Sequence, residues 1–142
     1  STAGVLIRAF TVRFEGGCVV DITAAEGGDI LRGTVDSDEG AARLGEIALV
    51  PHGSPISRSG ILFYNTLFDE NASCHLATGS AYRGCLKNGE AMSDDAFTAA
   101  GGNRSMIHVD FMIGDDTLDI DGVRPDGSTE PVFRNGEWAA TI

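Results

Sequence analysis

The chain has 142 residues, a formal net charge of −11, and 42% hydrophobic against 22% charged residues. That length and balance suit one compact globular domain with its own core. The acidity excludes a nucleic-acid surface, which needs a basic footprint, and the 19 glycines point to many turns between short strands, not to a helical bundle.

The same acidity attracts cations, metal ions and amine-bearing substrates among them, as well as serving solubility. Three cysteines, Cys18, Cys74 and Cys85, are an odd number without ligand-type spacing. They suit a reduced, cytoplasmic chain better than a secreted disulfide framework. No apolar run is long enough to span a bilayer and no signal peptide opens the chain, so no membrane association is expected. The chain starts without Met, directly in strand-like sequence, as a processed chain or an excised piece of a longer one would.

In chain order, Val5–Phe14, the turn Glu15-Gly16-Gly17 and Cys18–Ala24 predict a β-hairpin. Gly27-Gly28 breaks it, and Asp29–Val35 predicts a short helix with Ile30, Leu31 and Val35 on one side. Asp36–Gly40, DSDEG, lacks the alternating ligands and distal glutamate of a calcium loop and reads as a solvated turn or helix start. Ala41–Val50 runs from a helix end at Gly45 into a strand, with Glu46 at the junction among apolar residues. A carboxylate so placed is paired, hydrogen-bonded or bound to metal. Pro51–Gly60, which contains His52, reads as a loop.

Ile61–Asn71, ILFYNTLFDEN, fits a helix or a buried irregular segment, ending on Asp69 and Glu70. Cys74–Tyr82 predicts a strand that carries His75; there, adjacent side chains leave on opposite faces, which argues against a Cys74–His75 nucleophile pair. Arg83–Asn103 is a glycine-rich excursion with a short helix near Asp94–Ala99. Arg104–Gly114, RSMIHVDFMIG, is the plainest strand of the chain. Its alternation puts His108 and Asp110 on one face, about 7 Å apart by strand rise. Thr117–Asp121, the Pro125-Asp126-Gly127 turn and the run through Phe133 to Trp138 predict a closing β-meander.

The fold expected is therefore a single α+β domain rich in antiparallel strands with a few short helices. Its chemistry-bearing residues are Glu46, Glu70, His75, His108 and Asp110, with Tyr82 as auxiliary. Imidazole and carboxylate suit transition metals better than calcium, and a dinuclear hydrolase needs about this inventory. No single spacing is diagnostic, and for the central strand taken alone an ordinary half-buried strand whose His and Asp pair with each other or with solvent is the plainer account.

The strings LGEIALVPHGSPISRSGILFYNTLFDENASCHLATGSAY (Leu44–Tyr82), RSMIHVDFMIG and DDTLDIDG occur in this order. Together they resemble the thermophilic metalloaminopeptidase family of the aminopeptidase T and aminopeptidase S type. The resemblance covers most of this chain but only the C-terminal part of a family member, without the N-terminal α/β region. It implies a pair of divalent ions (zinc, cobalt or manganese), held by Glu46 as a bridging ligand with Glu70, His75, His108 and Asp110. It implies a site role for the Tyr82 phenol and a possible proton-accepting role for Glu70.

Peptides with a free N-terminus are the implied substrates and a homodimer the implied assembly. A further glutamate ligand of the family falls upstream of residue 1. By itself this stretch is therefore expected to bind metal weakly and to hydrolyse little. A non-catalytic metal-binding or assembly module on the same fold is the alternative.

Overall fold

Arg8–Glu15 (β1) and Cys18–Glu26 (β2) pair antiparallel in a computed structural model that describes residues 6–139. Val5, where the hairpin is expected to open, lies outside the described residues. Gly16 and Gly17, at φ 55° and 80°, make the turn, a left-handed pair that glycine adopts without a Cβ penalty. Gly28–Val35 (α1) follows. Its Leu31 and Val35 bury against Ile22 of β2, with Phe10, Val12 and Val19 packed around them. Each such side chain removed from water contributes about 1.5–3 kcal/mol, which a helix of eight residues needs because its own nucleation is unfavourable.

The described residues fall into two compact units. One combines the residues up to Ile47 with Leu76–Asp110; the other combines Ala48–His75 with the residues from Phe111 on. Among the described residues eight strands lie in three sheets, with four short helices between them, so the α+β, antiparallel expectation holds. The sheet that matters for chemistry has the order β3-β4-β5, with β3 at Leu44–Ala48, β4 at His75–Gly79 and β5 at His108–Met112. Gly79 donates its N–H to Arg43 O (2.8 Å) and Ser80 donates to Ile107 O (2.7 Å). At the other end of β4, Ile113 donates to Cys74 O (3.1 Å). The Ser80 and Ile113 bonds make β5 antiparallel to the central β4.

Three segments differ from expectation. Gly45 does not end a helix; it lies inside β3, where a Cβ would stand 2.3 Å from Gly79 O, so glycine serves close strand approach there. The loop Pro51–Gly60 contains a helical turn, Pro55–Ser59 (α2), capped by the Ser54 hydroxyl on Ser57 N–H and closed by Gly60 at φ 65°. Its Ser-Pro start and glycine stop are the ordinary helix punctuation.

Ile61–Asn71 is only partly helical, with Thr66–Asp69 (α3) capped by Asn65. It is not buried: Tyr64 is 66% and Leu67 75% exposed. The segment is nonetheless built, since the Asp69 carboxylate accepts N–H bonds from Phe63 and Asn65 and the Phe63 and Phe68 rings stack at 5.4 Å.

In the excursion, Asp94–Ala99 (α4) forms as expected, capped by Ser93, and buries Phe97 beneath the Arg83 guanidinium. The closing meander is Ile120–Val123 (β6), Thr129–Arg134 (β7) and Glu137–Trp138 (β8). Phe133 is wholly buried there against the Trp138 ring. Among the described residues no helix is long and apolar enough to cross a membrane.

Candidate metal centre

The sheet β3-β4-β5 carries four of the six predicted residues: Glu46 mid-β3, His75 at the start of β4, and His108 and Asp110 two apart on β5. One ligand atom from each of Glu46, His75 and Asp110 lies within 4.8 Å of the others. His108 joins them: its Nε2 is 3.2 Å from Glu46 Oε2 and 3.2 Å from Asp110 Oδ1. The shared face of His108 and Asp110 is thus as strand alternation requires. The Tyr82 ring packs 4.8 Å from the His108 ring, centroid to centroid. Glu70 opens the 3₁₀ turn Glu70–Ala72, half-buried, and is not a member of the three-residue group. Cys74 points elsewhere, its thiol within 3.4 Å of the backbone of Val50, which removes it as a partner for His75.

Both imidazoles are oriented by main chain. His75 Nδ1 is 3.1 Å from Ser73 O and His108 Nδ1 is 2.7 Å from Ser80 O, the two carbonyls flanking β4. A carbonyl only accepts, so each Nδ1 carries the hydrogen and each neutral ring keeps its lone pair on Nε2. Metal-binding imidazoles are typically held in this way. Sequence reasoning did not reach Ser73 and Ser80, because the groups used are backbone oxygens and carry no side-chain signal.

The donor set fits a divalent cation. The Asp110 side chain is 6% exposed, yet its Oδ1 has no hydrogen-bond partner among the described residues. His108 Nε2, 3.2 Å from Oδ1, presents a lone pair to it in the tautomer that Ser80 selects. A buried carboxylate oxygen facing a nitrogen lone pair and the Glu46 carboxylate is repulsive by itself and calls for a cation among the three. Nitrogen and carboxylate donors together are the set that zinc and similar ions accept.

Comparison with known proteins agrees with this chemistry. The family profile described as thermophilic metalloprotease (M29) matches residues 1–138. The chain belongs to that family.

It is 56% identical to aminopeptidase AmpS of Bacillus subtilis over 98% of its own length and 34% of that protein's. It is 47% identical to aminopeptidase T of Thermus thermophilus over 95% of its length and 33% of that protein's. Wild-type AmpT from Thermus thermophilus superposes with a TM-score of 0.84 at 46% identity, covering 94% of this chain and 32% of that one. The M29 chain thus spans about a third of the length of the relatives it matches.

Proposed function

We propose that this M29 chain carries metal-binding residues of a metal-dependent aminopeptidase. In this reading Glu46, His75, His108 and Asp110 would hold two divalent ions, with Glu70 as a further ligand or base. The observation that carries it is the convergence of Glu46, His75 and Asp110 within 4.8 Å around a buried carboxylate oxygen that has no hydrogen-bond partner among the described residues. The aminopeptidase names of the relatives support the reaction class.

When bound, divalent ions supply Lewis acidity that polarises a peptide carbonyl and makes a nucleophile from water at neutral pH. The chain's own residues do the rest. The acidic face receives the free α-amine of a peptide, which selects the N-terminal bond. Glu70 takes a proton from the attacking water and returns it to the leaving amine. The Tyr82 phenol, beside His108, donates to the oxygen on which negative charge develops. Three free cysteines support a reduced, cytoplasmic setting, and the exposed apolar run from Ile61 to Phe68 supports a homodimer.

The test is elemental analysis of the purified intact protein and of Glu46→Ala, together with hydrolysis of aminoacyl-anilides. Two zinc, cobalt or manganese ions per chain, lost in the variant along with chelator-sensitive hydrolysis, is the expected result. Metal bound without hydrolysis would leave a binding module. No bound metal, or hydrolysis indifferent to chelator, would overturn the proposal.

A further inference from the structure

The first compact unit also holds a cleft of about 660 Å³, whose walls include Phe14, Glu39, Arg43, Leu44, Thr98 and Arg104. None of these residues belongs to the metal centre. The volume is that of an ordinary small-molecule site. Arg104 is ion-paired with Asp94. Arg43, half-buried, has no ion pair and no side-chain hydrogen bond among the described residues.

A guanidinium stays charged at every relevant pH, and a half-buried one that lacks a partner is matched best by a planar carboxylate on two parallel N–H bonds. Glu39 brings a single carboxylate to the same cleft, and Phe14 and Leu44 supply apolar wall. The walls are preformed: Asn103, also lining the cleft, donates from Nδ2 to Gly40 O (2.8 Å) and Gly79 O (2.6 Å). Asp38 accepts from Gly40 N–H (2.9 Å) and Ser105 Oγ (2.9 Å). Binding there does not have to order the loops first.

A carboxylate receptor, an ammonium receptor and an apolar wall in one cleft complement a zwitterion with an apolar side chain. We propose that this cleft binds a free apolar α-amino acid, its carboxylate on Arg43 and its ammonium group toward Glu39. The chemistry is opposite to that of the metal centre, which gathers anionic and neutral donors for a cation. The inference does not rest on the aminopeptidase reading.

The probe is L-phenylalanine, titrated calorimetrically into the intact protein before and after chelator treatment. Phenylacetate, which lacks the ammonium group, and phenethylamine, which lacks the carboxylate, are the comparisons. One saturable site per chain that survives chelation is expected. It weakens at least about tenfold in Arg43→Gln, the loss of one charge-assisted contact, and by a similar factor for either comparison compound. Thr98→Trp fills the cleft from the exposed face of α4, leaves Arg43 in place, and abolishes binding even if Arg43→Gln folds poorly. Absence of saturable binding would overturn the proposal. So would binding lost on chelation, which belongs to the metal centre, or binding unchanged in Thr98→Trp.

Discussion

His108 Nδ1 lies 2.7 Å from the carbonyl oxygen of Ser80, and that contact decides which nitrogen of the ring faces the carboxylates of Glu46 and Asp110. Ser80 directly follows β4, while His108 opens β5. The strand pairing that builds the sheet therefore also fixes the tautomer. A glutamine at 108 keeps a polar side chain but cannot place a neutral nitrogen lone pair there. His108→Gln should lower zinc affinity by at least about tenfold, the loss typical when the surroundings of a metal ligand are disturbed. Competition against a chromophoric chelator measures it, with His52→Gln as a control. Equal affinity in the two variants would remove His108 from the ligand set.

Asp110 gives the opposite sign for stability. Its carboxylate is nearly buried, and Oδ1 has no hydrogen-bond partner among the described residues. Without metal, that oxygen bears its desolvation penalty next to the Glu46 carboxylate, so a neutral amide of the same shape is expected to be tolerated better. Asp110→Asn should stabilise the metal-free protein by about 1 kcal/mol, or about 2–4 °C in melting temperature for a chain of this size. The same variant should lose most of the stabilisation that zinc gives the wild type, since a ligand stabilises only through its affinity for the folded state. Melting curves with zinc and with chelator give both numbers. A metal-free variant less stable than wild type would mean that Asp110 already has a compensating partner.

The strands were legible because their signals are local. Alternation set β5 and the common face of His108 and Asp110, and glycine turns set the hairpin. Gly45 is not legible from sequence, because a glycine that ends a helix and one that admits a neighbouring strand look alike there. Only Gly79 O, 2.3 Å from the position of an added Cβ, separates the two. The segment from Ile61 to Phe68 has the composition of a core yet lies exposed, since composition does not report what a surface faces.

Of the predicted site, Glu46, His75, His108 and Asp110 converge because adjacent antiparallel strands bring them together. No spacing between residues 46 and 110 could reveal that. Their family resemblance was legible from whole strings, whereas the carbonyls of Ser73 and Ser80 had no sequence signal at all.

DSDEG, expected to be a solvated turn or helix start, is a largely exposed turn, and it also supplies a clamp. The Asp38 carboxylate accepts from Met106 N–H (2.8 Å), Ser105 Oγ (2.9 Å), Ala41 N–H (2.9 Å) and Gly40 N–H (2.9 Å). It ties the turn to the segment that leads into β5. These bonds, the Met106 amide foremost, favour the ionised form and hold the Asp38 carboxyl below its ordinary 3.8. As pH falls, the unfolded chain takes up this proton first. The contribution of Asp38 is therefore complete above the ordinary carboxylate value and disappears as pH drops through the depressed folded one. Asp38→Asn should lower the urea midpoint at neutral pH, and the gap to wild type should narrow below about pH 4. Other carboxylates titrate in both proteins and cancel in that difference. A gap that stays constant down to about pH 2.5 would show that Asp38 holds the turn by shape and not by charge.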